Sequence, residues 1–253
     1  MSSRTGRLLR GTIGTVFVFG LVELAVRTGI VGGSALPPPS EVIGEAAALL
    51  TEADFVAAVA VTLGAWLLGM AIAVVSGVVA GALIGGSARI ELLTRGPIEL
   101  IRPLPAVALA PLLLGLYGRG IWSRALAVAF AAVWPILFNT SYGVSTLDST
   151  RLDTARSFGL RGLEIWRRVR LPALAPFAFT GLRLAAAIGL IVAVSVEFLL
   201  PGSGVGGYVA ELSTGVGNLS TVYGAIVIVG LVGVALNAAL VAVDNRLFPW
   251  RVT

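Results

Sequence analysis

The sequence predicts an all-α membrane protein with six transmembrane helices. Three observations carry that expectation. First, 57% of the 253 residues are hydrophobic and only 12% are charged, where a soluble domain carries about 25% charged residues. Mean hydropathy is correspondingly high, at +0.96. Second, the apolar residues fall into six runs long enough to cross a bilayer, whose core of about 30 Å needs about 20 residues at about 1.5 Å each. Third, all 18 basic residues are arginine, and they collect at the ends of those runs, as juxtamembrane charges do.

The first run, Gly11–Ile30, follows the basic stretch MSSRTGRLLR, as in a signal peptide. It is too long for the apolar region of one, and no A-x-A-like site follows. Residues 1–35 are therefore expected to hold a retained amino-terminal span. Glu23 and Arg27, four apart within it, neutralise each other. Residues 36–54 read as an extracytoplasmic amphipathic segment. Pro37–Pro39 halt any helix, Ser40 is placed to cap the next one, and Val42, Ile43, Ala46, Leu49 and Leu50 recur at helical spacing.

The second run lies within Phe55–Ala88, which holds no charge. Its Gly77, Gly81 and Gly85 at every fourth position favour close helix approach. The third, about 98–117, is interrupted by Pro103, Pro105 and Pro111. Carbonyls freed there either line a cavity or accompany a simple bend. The fourth is about 122–143, where Trp134, Pro135 and Asn139 admit the same two readings. The fifth, about 176–200, is interrupted by Arg183 and Glu197, and the sixth is about 222–243. Between these last two, PGSGVGGYVAELSTGVGNLS reads as a Gly/Ser-rich loop with one short helix. Its GSGVGG is no dinucleotide fingerprint, because no strand precedes it.

Orientation follows from the arginines. With the amino terminus in the cytoplasm, Arg4, Arg7, Arg10, Arg89, Arg95, the six arginines of 151–170, Arg246 and Arg251 lie inside. Only Arg27, Arg119 and Arg124 then fall near the outside, so both termini are expected to be cytoplasmic. No basic, aromatic-interleaved face suggests nucleic acid. The absence of cysteine and histidine excludes disulfides, thiolate chemistry, Cys/His metal sites and histidine acid–base catalysis. No internal repeat with paired broken helices argues for a secondary transporter.

One polar stretch stands out, RLDTARSFGLRGLEIWRRVRLP, Arg151–Pro172. Asp148 is placed to cap a helix beginning near Ser149. Leu152, Ala155 and Phe158 share one face of it, and Gly159 sits where the helix ends in a left-handed turn. Leu163, Trp166 and Val169 make a second apolar stripe flanked by arginines, as on an interfacial helix, and Pro172 closes the segment. Two readings are open: a basic loop that only fixes topology, or a short helix that needs a partner's groove.

The spacing of this stretch resembles the EAA loop of ABC importer permeases: E-A-A, three residues, Gly, nine residues, Ile, any residue, Leu-Pro. Here stand Asp153-Thr154-Ala155, Gly159 and Val169-Arg170-Leu171-Pro172, with Asp for Glu, Thr for Ala and Val for Ile. Further segments resemble the nitrate/sulfonate/taurine-type branch. These are LPPPSEV after the first run, Arg102-Pro103-Leu104-Pro105 with Ala108-Leu109-Ala110-Pro111-Leu112, Gly181-Leu182-Arg183 with Glu197, and Gly202–Tyr208. The resemblance covers about 36–248. It departs at Leu190, where the family often has an aromatic, and at Gly118-Arg119-Gly120, where acidic residues are common.

The resemblance implies a Type I ABC importer (MetI-like) permease fold in a bacterial cytoplasmic membrane, with a five-helix core at 55–248 that includes the EAA loop at 148–172. It implies that Leu152, Asp153, Thr154, Ala155, Phe158, Gly159, Val169, Leu171 and Pro172 couple to a cytoplasmic ATPase. A second permease copy or homologue and an extracytoplasmic substrate-binding protein complete the implied assembly. The cargo implied is a small, often anionic solute: a sulfonate, taurine, nitrate, an aromatic acid or a pyrimidine precursor. No lysine means no G-x-x-x-x-G-K phosphate loop, so the chain is not expected to be an enzyme or to hold a cofactor; ATP and Mg would belong to the partner.

Glu197, Asn139, Trp134 and Arg183 are the candidate residues of the path. An ionisable group at mid-bilayer costs about 2.5–3.5 kcal/mol or more. Fourteen residues, about 21 Å of helix, separate Arg183 from Glu197, so the two cannot pair. Glu197 either lines the outer mouth or, the favoured reading, hydrogen-bonds the Gly-rich loop near the outer interface. Arg183 is expected to snorkel to headgroups or bond a carbonyl. Rivals to transport by an ABC assembly are a stand-alone carrier or channel and a non-transporting membrane anchor.

Overall fold

The computed structural model describes residues 4–30, 36–199, 202, 204–214 and 218–249; Ser203 and Arg251 of the motifs above lie outside them. The described residues are helical almost throughout. In chain order come α1 (Arg4–Arg27), α2 (Pro39–Leu49), α3 (Ala53–Gly86), α4 (Ala88–Ile101), a 3-10 turn (Ala106–Leu109), α5 (Ala110–Tyr117) and α6 (Ile121–Ser145). Then follow α7 (Ser149–Ser157), α8 (Leu163–Ile165), a π turn (Trp166–Arg170), α9 (Leu171–Leu199), α10 (Gly204–Thr214) and α11 (Leu219–Leu247). Among the described residues, four helical runs are long and apolar enough to cross a membrane: Ala53–Gly86, Ile121–Ser145, Leu163–Leu199 and Leu219–Leu247. The pair Ala88–Ile101 and Ala106–Tyr117, bent by 79°, makes a fifth if it is counted as one span.

The bend falls where the prolines of the third run stand. Pro103 and Pro105 fall in the break between α4 and the 3-10 turn, where a proline disfavours helix for the residue before it and supplies no N–H. The pair nonetheless carries the chain across the bundle. Gly69 of α3 lies against Ala125 of α6 and Gly85 against Ser141, so α3 and α6 run parallel. The intervening segment must return, and it does: Arg102 stacks on Phe138 at 4.8 Å, while Ala110 packs with Ala127 and Ala131.

The remaining directions follow the same way. Gly181 of α9 meets Ile136 and Gly189 meets Val128, so α9 is antiparallel to α6. Leu190 meets Gly233 and Arg183 meets Asp244, so α11 is antiparallel to α9. The ends of α3, α6 and α11 and the start of α9 therefore share one end of the bundle with α7 and α8. The ends of α9 and the starts of α3, α6 and α11 share the other end with α2 and α10.

The core joins α3, α6 and α9 through Trp66, Met70, Ala73, Val128, Ala132, Ile136, Ala185, Ala186, Leu190 and Ala193. Trp66 Nε1 donates to the Ala186 carbonyl at 3.0 Å, tying α3 to α9. Small residues at 69, 73, 77, 81 and 85 of α3 form one ridge, so that backbones touch. A Cβ on Gly81 would stand 2.5 Å from the Leu137 carbonyl oxygen. Gly81→Val is therefore expected to cost about 1–3 kcal/mol by overpacking. Thermal unfolding in detergent should show it, and an unchanged midpoint would mean that the two backbones are not in contact.

Two local expectations need correction. Ser40 does not cap α2: the cap position is Pro38, and helix begins at Pro39. Ser40 instead gives its N–H and hydroxyl to Glu23 at 3.0 and 2.8 Å, joining α2 to the Glu23–Arg27 pair, which does form at 2.5 Å. The stripe of α2 also splits. Val42, Ala46 and Leu49 are buried, with Ala46 and Leu49 packed among residues of α3, α10 and α11, while Ile43 and Leu50 stay exposed.

Candidate functional site

The polar end of the bundle carries α7. Asp148 caps it by accepting from the Thr150 N–H at 2.9 Å. That bond, with Thr150's hydroxyl and the charge of Arg151, holds the Asp148 carboxyl below the usual carboxylate range. A depressed carboxylate contributes stability above its unfolded pKa and loses it as pH falls through the folded one, so the cap is complete at neutral pH. At the other end Gly159 has φ +81°. Its N–H donates to the Arg156 carbonyl at 2.9 Å, and the Leu160 N–H to the Ala155 carbonyl at 3.1 Å. These two bonds are the Schellman closure that a glycine in this conformation permits.

The face of α7 is not presented as one apolar stripe. Ala155 is buried within the chain and Leu152 is half-buried, whereas Phe158 is 82% exposed. Asp153 and Thr154 are exposed; Asp153 pairs with Arg156 at 2.8 Å, and Thr154 bonds back to the Thr150 carbonyl. An exposed pair of this kind is worth little, so both charges are open to a better partner. A cavity of about 630 Å³ lies beside α7, lined in part by Asp148, Arg151, Arg168, Val169, Pro172 and Phe177.

Pro172 does not end the segment, as the sequence suggested. Residues Leu163–Leu199 form one helical run, with Leu171 and Pro172 at the start of α9. The π turn at Trp166–Arg170 supplies the reason. A proline lacks the N–H for its i−4 carbonyl and crowds it, and a wider turn just before it relieves both problems. Val169 is half-buried within that turn, and Leu171 is exposed.

The opposite end holds a buried polar cluster around Glu197, which is fully enclosed. Its Oε2 accepts from the Thr62 hydroxyl at 2.7 Å and from the Gly206 N–H at 3.3 Å. Thr62 in turn accepts from the Val205 N–H at 2.9 Å. Arg124, 6% exposed, brings Nη1 to 3.7 Å from Glu197 Oε1. Glu197 thus bonds the glycine-rich segment, two residues from the end of α9, and is enclosed by protein on all sides. Arg124, read as an outer flanking charge, is its buried partner. Tyr208 of α10 also donates to Glu52 at 3.0 Å, and burial together with that bond pushes its hydroxyl up to about 12.

Arg183 neither pairs with Glu197 nor merely snorkels: it meets Asp244 of α11 at 3.3 Å. It borders a groove of about 380 Å³ between α9 and α11, together with Leu190, Ser195, Gly233 and Asn237. A second groove of about 380 Å³ continues toward α10 and shares Val194, Ser195 and Val229 with the first. Trp134 and Asn139 line neither. Trp134 packs edge-on against Phe130, and Asn139 donates to the Pro135 carbonyl at 2.8 Å. The four path candidates are therefore not gathered around one cavity.

A bundle of apolar helices, with a capped polar-face helix at one end and a buried polar clasp at the other, defines a multi-pass membrane protein. Residues 73–249 match the family of inner membrane components of binding-protein-dependent transport systems, and the chain belongs to that family. Within it the chain stands with ABC importer permeases of the nitrate/sulfonate/taurine-type branch. It is 33% identical over 172 residues, 68% of its own length, to a Methanocaldococcus jannaschii protein named as an ABC transporter permease. It is 31% identical over 181 residues, 72% of its length, to the nitrate import permease of Leptolyngbya laminosa. In both cases the match spans 64% of the relative. The taurine transport system permease of Escherichia coli K12 is 27% identical over 246 residues, 95% of this chain and 89% of the relative.

Proposed function

We propose that the chain is the membrane subunit of an ATP-driven importer and forms half of a path for a small anionic solute by alternating access. The end bearing α7 faces the cytoplasm, so both termini are cytoplasmic, and α1 is the sixth span. Two ATPase subunits, which bind the ATP and Mg, grip the exposed residues of α7. Phe158 fills a pocket of the partner, and Asp153 exchanges Arg156 for a partner group. A second permease, identical or homologous, covers the exposed face of α9, where Leu184, Ile188, Ile191 and Phe198 stand open beside the two grooves. A binding protein delivers the solute at the α10 end. The observation that carries this reading is α7 itself: a short helix closed at both ends, with a large aromatic 82% exposed and outside every run long and apolar enough to cross a membrane.

Transport measurements test it. Co-expressed with its ATPase, the chain should retain that subunit on purification, and proteoliposomes should take up solute only when ATP and binding protein are present. Asp153→Arg removes the acidic anchor and adds repulsion from Arg156. It is expected to lower ATPase retention about tenfold, the equivalent of one lost charge-assisted bond. Uptake by the chain without an ATPase would favour a carrier, and retention without solute-stimulated hydrolysis would favour an anchor.

A further inference from the structure

A cavity of about 460 Å³ between α7, the α7–α8 turn and the π turn has no part in the reading above. We propose that it binds a phosphate-bearing anion, the headgroup of an anionic phospholipid from the adjoining leaflet. The proposal rests on the chain spanning a membrane, not on the identity of its ATPase or its cargo.

Three guanidinium groups from three parts of the segment line the cavity: Arg156 of α7, Arg161 of the α7–α8 turn and Arg170 of the π turn. Arg156 is held by Asp153. Arg161 and Arg170 make no ion pair among the described residues, and no carboxylate lines the cavity. Arg170 stacks on Trp166 at 4.7 Å. Stacking uses the face of a guanidinium and leaves the N–H edge free to bind phosphate oxygens in pairs.

The depth of the cavity selects the source of that phosphate. Trp166 packs on Gly86, the last residue of α3, where an added Cβ would stand 2.9 Å from the ring. The run Phe55–Ala88 is free of charge, so Gly86 marks where the oily part of the helix ends. The cavity opens at that level, with an indole at the boundary, as at a headgroup layer. Basic pockets at this depth recognise anionic lipid headgroups. A lipid held there would bridge α7 to the start of α9.

The full chain in nanodiscs of phosphatidylcholine, with and without phosphatidylglycerol, tests this by native mass spectrometry. The wild type should retain phosphatidylglycerol selectively. Arg161→Gln/Arg170→Gln should lower that retention at least about tenfold, and Arg161→Gln alone should lower it part of the way without touching the stacked pair. Arg151→Gln/Arg167→Gln, which removes the same charge outside this cavity, should leave retention unchanged. Equal loss in both double variants would overturn the proposal in favour of diffuse surface charge. Displacement by millimolar inorganic phosphate would show a soluble-anion site instead. Full lipid retention by the first pair, with loss of a bound ATPase, would show that the cavity serves a partner's acidic segment.

Discussion

Glu197→Ala is expected to destabilise the protein by about 3–5 kcal/mol, the usual cost of removing one partner of a buried ion pair. The reason is what stays behind. Arg124 is 6% exposed, and among the described residues its Nε and Nη1 have no hydrogen-bond partner and Glu197 is the one carboxylate paired with it. The same substitution strips the acceptor from Thr62 and from the Gly206 N–H. These bonds fasten α9 to α3 and to α10. Glu197→Gln keeps an acceptor for both donors but loses the charge, so its loss should fall between wild type and alanine. Arg124→Met/Glu197→Leu removes both charges and should recover much of the loss, because a pair replaced by apolar groups is often neutral. Thermal unfolding in detergent, followed by tryptophan fluorescence, orders the four proteins. If the double variant is no better than Glu197→Ala, Arg124 is not the stranded charge and the clasp is held by the hydrogen bonds alone.

Much of the fold could be read because a bilayer constrains it so tightly. Once a segment must satisfy its own backbone in oil, apolar length and flanking arginine locate it. Thus the runs within 55–88, 122–143, 176–200 and 222–243 became α3, α6, α9 and α11. The four-residue ridge at Gly77, Gly81 and Gly85 became a contact because periodicity on one helix is a local property. The cap at Asp148 and the turn at Gly159 were legible for the same reason, each being fixed by residues within about one helical turn.

What stayed hidden depends on which helices lie side by side. Nothing local links Arg124 to Glu197 or Arg183 to Asp244, since the pairs are separated by 73 and 61 positions along the chain. Arg124 carried a misleading signal: one turn inside a span, an arginine looks like a flanking charge that reaches the interface. The parallel run of α3 and α6 is what brings Thr62, Arg124 and Glu197 to one end. Pro172 misled in another way. Its effect on helix geometry is absorbed by the π turn at Trp166–Arg170, and a π turn has no composition of its own to read. Phe158 shows the converse: it shares a stripe with Ala155, yet only the alanine fits beneath the bundle.

Gly159→Pro is expected to leave the bundle intact and lower ATP-driven uptake about a hundredfold. Two effects act at one residue. Proline fixes φ near −65°, whereas this position stands at +81°, and it removes the N–H that closes α7 on the Arg156 carbonyl. A helix-terminal loss of about 3 kcal/mol reduces the population with α7 correctly closed about a hundredfold. A lever works only in that population. Gly159→Ala keeps the N–H and costs about 1–2 kcal/mol for the left-handed conformation, so uptake should fall about tenfold. The core clusters of α3, α6 and α9 do not include this turn, and among the described residues a Cβ placed there meets nothing within 4 Å apart from its chain neighbours. Unfolding midpoints of both variants should therefore match wild type within a few degrees, while basal ATPase activity becomes insensitive to solute. Uptake graded Gly above Ala above Pro, at constant thermal stability, would locate the defect in force transmission. Equal uptake by all three would mean that α7 transmits nothing and merely decorates the polar end of the bundle.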